Sequence, residues 1–151
     1  MWYYNNRIVD NLDNFPEKVW GFVYKITCID TGKFYIGKKQ FWSERNIKLN
    51  KKELLEVAAL KKPGKKPTKK FVVSESDWIK YYGSEPEIKK DVKEMGHSAF
   101  KREIIQLCYS KKELTYSEIK HQFQLEVLER EDTYNSNIEG RYFKTDFLKS
   151  K

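Results

Sequence analysis

Apolar and polar positions along this chain follow two rhythms, and the changes between them mark its elements. Residues 18 to 28, Lys-Val-Trp-Gly-Phe-Val-Tyr-Lys-Ile-Thr-Cys, are β-branched and aromatic and predict a strand. Asp30-Thr31-Gly32-Lys33 predicts a turn with glycine where φ becomes positive. Residues 33 to 37 predict the partner strand, and a hairpin of this length sets Tyr24 and Tyr35 side by side. A helix is expected from near Lys39, carrying Trp42 and Arg45. Leu54 to Leu60 predicts a short helical piece, stopped by Pro63-Gly64 and Pro67, with a lysine loop over 61 to 70.

Order returns with Phe71-Val72-Val73 and Trp78-Ile79-Lys80-Tyr81-Tyr82. Ser84 followed by Glu87 fits a capping box, and the helix it opens ends near Met95 with Gly96 just beyond. Residues 99 to 108 predict a third strand. Ser110 with Glu113 caps the longest helix, about 111 to 130. Residues 1 to 16 and the tail from 132 are polar and irregular. The expected fold class is α/β in the α+β sense: one small three-stranded sheet flanked by helices. The expected domain is single, 1–151, with a core over 18–138, a lysine-rich insertion over 48–70 and a tail over 139–151.

Charge sharpens this division. The net charge is +8, and residues 48 to 70 hold nine lysines against Glu53 and Glu56, leaving an excess of only one for all the rest. This segment reads as a solvated loop or as an arm that tracks phosphates, since clustered cations release counterions from a polyanion. No apolar run approaches the roughly 18 residues of a membrane span. The N-terminus has no basic and apolar leader pattern. Cys28 and Cys108 lack metal-ligand spacing and read as buried thiols in a reducing, cytoplasmic setting.

Few residues offer chemistry beyond packing. Leu114, Glu118, His121, Leu125 and Leu128 share one stripe of the long helix, so Glu118 is a charge on a largely apolar face. Such a carboxylate reaches solvent, pairs with a lysine, or holds a cation. Oxygen ligands completed by water suit Mg²⁺. Tyr24 and Tyr35 taken alone read as core or rim aromatics, since a phenol acting as a base near neutral pH must lose about 2 to 3 pH units, about 3 to 4 kcal/mol. Lys38 or Lys39 could supply part of that shift. His97 and His121 are the only histidines, and His121 reads as structural.

Phe22-Val23-Tyr24, Tyr35-Ile36-Gly37, Arg45, Glu118 and Tyr134-Asn135 together resemble the motifs of the GIY-YIG nuclease family. Asp77-Trp78, Tyr82-Gly83-Ser84, Phe100 to Cys108, Glu118 to Phe123 and Asn137 to Arg141 resemble a set of small endonuclease-like proteins of tailed phages. Phe22 stands at the first-motif glycine, with Gly21 adjacent, and Asn137 fits the late asparagine spacing as Asn135 does. The resemblance implies a Mg²⁺-dependent DNA endonuclease, with Mn²⁺ as a substitute metal. It gives Tyr24 the attacking water, Tyr35 an assisting role, Arg45 the scissile phosphate, Glu118 the single metal and Asn135 the ordering of the site. The partner is then DNA, met by Lys38, Lys39, Lys61, Lys62, Lys65, Lys66, Lys69 and Lys70, and double-strand cutting calls for a homodimer or successive events. The competing reading is a catalytically silent nucleic-acid-binding module that keeps the fold.

Overall fold

A computed structural model describes residues 1–60 and 64–148. The chain divides into two compact units, Met1–Phe41 with Asp77–Lys151, and Trp42–Ser76.

The first unit is built on one sheet of five strands, not three. β1 (Trp2–Tyr4) and β2 (Arg7–Val9) form a hairpin in the stretch expected to be irregular. Asn5 and Asn6 turn it at φ of 50° and 63°, a left-handed geometry that asparagine tolerates. β3 (Gly21–Cys28) and β4 (Phe34–Gln40) form the expected central hairpin. Its register sets Tyr24 opposite Gly37 and Ile26 opposite Tyr35. The strand order is β2-β1-β7-β3-β4, where β7 spans Phe100–Cys108, so β4 forms an outer edge. β1 runs parallel to β7, and the other pairs are antiparallel. A bulge lies where the β7 partner jumps from Gln106 at Val23 to Ile104 at Tyr24.

The two sheet faces bury different chemistry. On one, α3 (Lys111–Gln124) brings Leu114 against Val23, Ile36 and Cys108, with Val127, Leu128 and Ile138 completing an aliphatic core. On the other, Trp2, Phe22, Tyr24, Phe41 and Trp78 meet edge to face or tilted, most centroids about 5 to 6 Å apart. Ser110 accepts the Glu113 amide at 3.1 Å, as its spacing predicts, but α3 ends at Gln124 rather than near 130. Glu126 takes φ of 52° just beyond. α2 (Pro86–Met95) ends with Gly96 at φ 88°, as expected, yet Ser84 is not its cap. Glu85 stands there without a capping bond, and the Ser84 hydroxyl serves Tyr35 instead. β8 (Asn137–Ile138), β9 (Tyr142–Phe143) and α4 (Lys144–Phe147) complete this unit. Cys28 and Cys108 are both buried free thiols.

In the second unit, the helix expected near Lys39 is absent: β5 (Trp42–Lys48) is extended and pairs with β6 (Lys69–Glu75) over seven positions, Trp42 opposite Glu75 to Lys48 opposite Lys69. The ladder partner lies beyond α1 (Lys51–Ala59), so no local pattern announces it. Asn50 and Glu53 cap α1 reciprocally. No described residue of this unit is buried. Among the described residues no helix is long and apolar enough to cross a membrane.

Candidate active site

Close approach, not flexibility, explains the glycine of Tyr35-Ile36-Gly37. A Cβ on Gly37 would stand 2.6 Å from the Tyr24 ring and 2.8 Å from the Tyr35 ring. The missing methyl lets both rings close over one backbone position, their centroids 6.0 Å apart. Gly21 answers a similar need, since a Cβ there would meet the Lys39 carbonyl at 2.5 Å and Leu114 at 2.8 Å. Tyr24 is 1% exposed, whereas Tyr35 bonds the Ser84 hydroxyl at 3.1 Å.

The outer edge of β4 needs partners for every second residue. Phe34 donates its amide to Asp132 at 3.1 Å and accepts from the Tyr134 amide at 2.7 Å. Asn135 then takes the place of a strand: its Oδ1 accepts the Ile36 amide at 3.1 Å and its Nδ2 donates to the Ile36 carbonyl at 2.8 Å. Gln122 adds a second donor to that carbonyl at 3.1 Å. Asn135 is 2% exposed and holds the backbone between Tyr35 and Gly37. Asn137 instead accepts the Gly140 amide in a local turn.

Next along the edge, the Lys38 amide donates to the Glu118 carboxylate. Burial is the largest influence on that carboxyl and pushes it up to about 7, with the Lys38 charge opposing and Glu139 adding to the rise. The Lys38 ammonium donates to Thr115 at 2.9 Å. On the opposite face Lys39 pairs with Asp77 at 2.6 Å and lies 4.1 Å above the Tyr81 ring.

Comparison with known proteins meets this geometry at one point. A family model described as "Putative endonuclease segE, GIY-YIG domain" matches residues 2–138, nearly the whole chain. The chain belongs to the SegE-type GIY-YIG family. No curated protein and no solved structure matches it. Membership supports nuclease function in general terms.

For a GIY-YIG domain, the tyrosines hold a result that sequence could not give. Burial first, then the charges of Tyr35 and Tyr81, push Tyr24 well above the ordinary phenol range. Tyr35 is pushed up to about 12, also chiefly by burial. Both phenols therefore keep their protons near neutral pH. Tyr81, which the sequence places only in an ordered stretch, shares a hydrogen bond with Tyr24, their rings 5.9 Å apart.

Arg45 is exposed on β5, opposite Val72, in the second unit. Lys65, Lys66, Lys69 and Lys70 are exposed in that unit, Lys70 paired with Glu53 at 2.8 Å. Lys61 and Lys62 lie outside the described residues. His121 bonds Gln106 at 2.8 Å and His97 stacks on Tyr82, so both serve structure.

A divalent metal fits Glu118. Its carboxyl is half-buried, its charge is disfavoured by burial, and a cation relieves that cost. One carboxylate oxygen donor with waters filling the rest is a common Mg²⁺ environment. Among the described residues no group of three or more histidines, cysteines or acids converges, so the donor set offered here does not resemble a zinc or calcium cage.

Proposed function

We propose that this protein is a Mg²⁺-dependent DNA endonuclease, phage-encoded, that hydrolyses phosphodiester bonds. The observation that carries the reading is the packing of Tyr24 and Tyr35 over Gly37, beside the edge where Glu118 and Asn135 meet β4. The family match over residues 2–138 supports it.

Each residue has a role suited to its surroundings. Tyr24 and Tyr35 are hydroxyls near one backbone position, and they orient the attacking water and a phosphate oxygen by hydrogen bonding. Asn135 touches no reacting atom; it fixes Ile36 and thereby the spacing of Tyr35 from Gly37. Glu118 holds the metal, which when bound supplies charge neutralisation and assistance to the leaving 3′ oxygen. Arg45 keeps the phosphate-binding role on its motif alone, and the exposed lysines Lys65, Lys66, Lys69 and Lys70 give contact with DNA that is indifferent to sequence. Lys38 and Lys39 are already engaged with Thr115 and Asp77, so their contribution to DNA is to the local field.

Supercoiled plasmid tests this directly, incubated with Mg²⁺, with EDTA, and with the Glu118→Gln variant. Nicking or linearisation that needs both the metal and Glu118 is expected, with DNA binding by the variant little changed. Cleavage that persists in EDTA or in Glu118→Gln overturns the metal assignment. Salt-sensitive plasmid binding with no cleavage, repeated on phage genomic DNA, favours the silent binding module.

A further inference from the structure

Tyr24 faces a chemical difficulty: a buried phenol that keeps its proton cannot by itself take one from water. The structure provides an outlet. The Tyr24 hydroxyl shares a hydrogen bond with that of Tyr81, whose ring stands against it edge to face, centroids 5.9 Å apart and the interplanar angle 81°. Tyr81 is half-buried and lines an open pocket of about 330 Å³ with Lys80, Tyr82, Lys89 and His97. The Tyr24 hydroxyl is thus linked to a residue at the solvent boundary.

The placement of Tyr81 is heavily supported. Arg102 on β7 is 4% exposed and lies between the rings of Trp2 and Tyr82, at 4.6 and 4.1 Å. Its Nη1 donates to the Ile79 carbonyl at 2.8 Å and the Tyr81 carbonyl at 2.9 Å. Trp2 donates to the Trp78 carbonyl at 2.7 Å. Burying a guanidinium is costly, and here it serves backbone carbonyls of the very segment that carries Tyr81. The Lys39 ammonium on the Tyr81 ring adds a fixed contact from β4. Sheet, clamp and cation all fix one ring against Tyr24.

We propose that Tyr81 is a positioning residue for phosphodiester hydrolysis, holding the Tyr24 hydroxyl and carrying its proton to solvent; this rests on the nuclease reading above. The attacking water gives a proton to the Tyr24 oxygen as the Tyr24 proton moves to Tyr81 and the Tyr81 proton to a solvent water. The new P–O bond forms as the P–O3′ bond breaks, and its electron pair leaves with the 3′ oxygen. Neither phenol carries a full charge for longer than the transfer.

The test is Tyr81→Phe, which keeps the ring, with plasmid cleavage measured in H₂O and D₂O mixtures. The expected loss is about 10- to 100-fold in kcat with KM unchanged. The proton inventory changes from curved to linear, since fewer protons move together. Tyr24→Phe/Tyr81→Phe is expected to be no slower than Tyr24→Phe alone, because the relay has one entrance. Tyr81→His, which restores a donor and acceptor, recovers part of the rate and guards against loss of fold. Wild-type cleavage matched by Tyr81→Phe, or losses that multiply in the double variant, overturns the relay and leaves the nuclease reading standing. A wild-type protein that cuts nothing removes both.

Discussion

The two units of this chain are held together by opposite means. In the first, Tyr24 is 1% exposed, Asn135 2% and Trp78 fully buried, and the side chains nominated for chemistry sit where burial fixes them. In the second, no described residue is buried; Phe71 is 61% exposed and Leu55 71%. That ribbon depends on its backbone ladder, a capped helix and the Lys70–Glu53 pair. Surface pairs of this kind are worth at most about 1 kcal/mol. Positional accuracy belongs to the first unit, and cationic surface with little packing to constrain it belongs to the second. Precise positioning suits bond cleavage, whereas tracking an irregular polyanion tolerates looseness.

Arg45 is the sharpest challenge to that contrast, because it assigns chemistry to the loosely packed unit. Arg45→Ala is expected to lower cleavage by about 10²- to 10³-fold, measured as single-turnover rate on plasmid. Equal rates would confine the chemistry to the first unit and strip Arg45 of its role. Asn135→Ala probes the rigid side. It leaves the Ile36 amide unpaired and removes one of two donors to its carbonyl, for an expected loss of about 2 to 4 kcal/mol in chemical denaturation.

Titration of Glu118 probes the buried unit by pH. Its carboxyl rises from 4.5 to about 7 on folding, so the charged form is the one the fold disfavours. The resulting cost is absent below the unfolded value, grows as pH rises between the two, and is complete above about 7. Glu118→Gln is therefore expected to gain about 2 to 3 kcal/mol over wild type at pH 8 and nothing at pH 4.5. Mg²⁺ should close that gap for wild type alone, read as Tm. The smallest single effects belong to Lys65, Lys66, Lys69 and Lys70. Each replacement by alanine should lower the slope of log affinity against log salt by about 0.9 if its lysine meets a phosphate. A salt response unchanged in the quadruple variant would remove this ribbon from the DNA contact.

The parts legible in the sequence are those set by short separations. The Tyr24–Tyr35 pair follows from one tight turn, and the Ser110 cap from a spacing of three. Glu118 was readable as a charge on an apolar helix stripe, and the Tyr134-Asn135 pair as a motif. What escaped depends on distant partners or on competition. β5 looked helical because its ladder partner lies beyond α1. Ser84 satisfied the local capping rule, yet Tyr35 claims its hydroxyl. Tyr81 meets Tyr24 across 57 residues of chain, and no periodicity relates them. The Asn5-Asn6 turn did carry a signal, since the pair stands between Trp2-Tyr3-Tyr4 and Ile8-Val9, two runs too short to announce strands. The upward shift of both phenols comes from burial by the whole fold, which a spacing cannot express.

The closure of β4 by Asn135 also sets an order of events in the making of the molecule. Ile36 and Asn135 are 99 residues apart, and the hairpin leaves the ribosome long before its edge can be covered. A nascent chain of about 80 to 110 residues has both tyrosines but neither Glu118 nor Asn135, and at synthesis rates of about 5 to 20 residues per second that interval lasts several seconds. During that time the β4 edge is open to wrong pairing. The segment that covers this edge also carries the asparagine of the proposed site, so cover and proposed site arrive together.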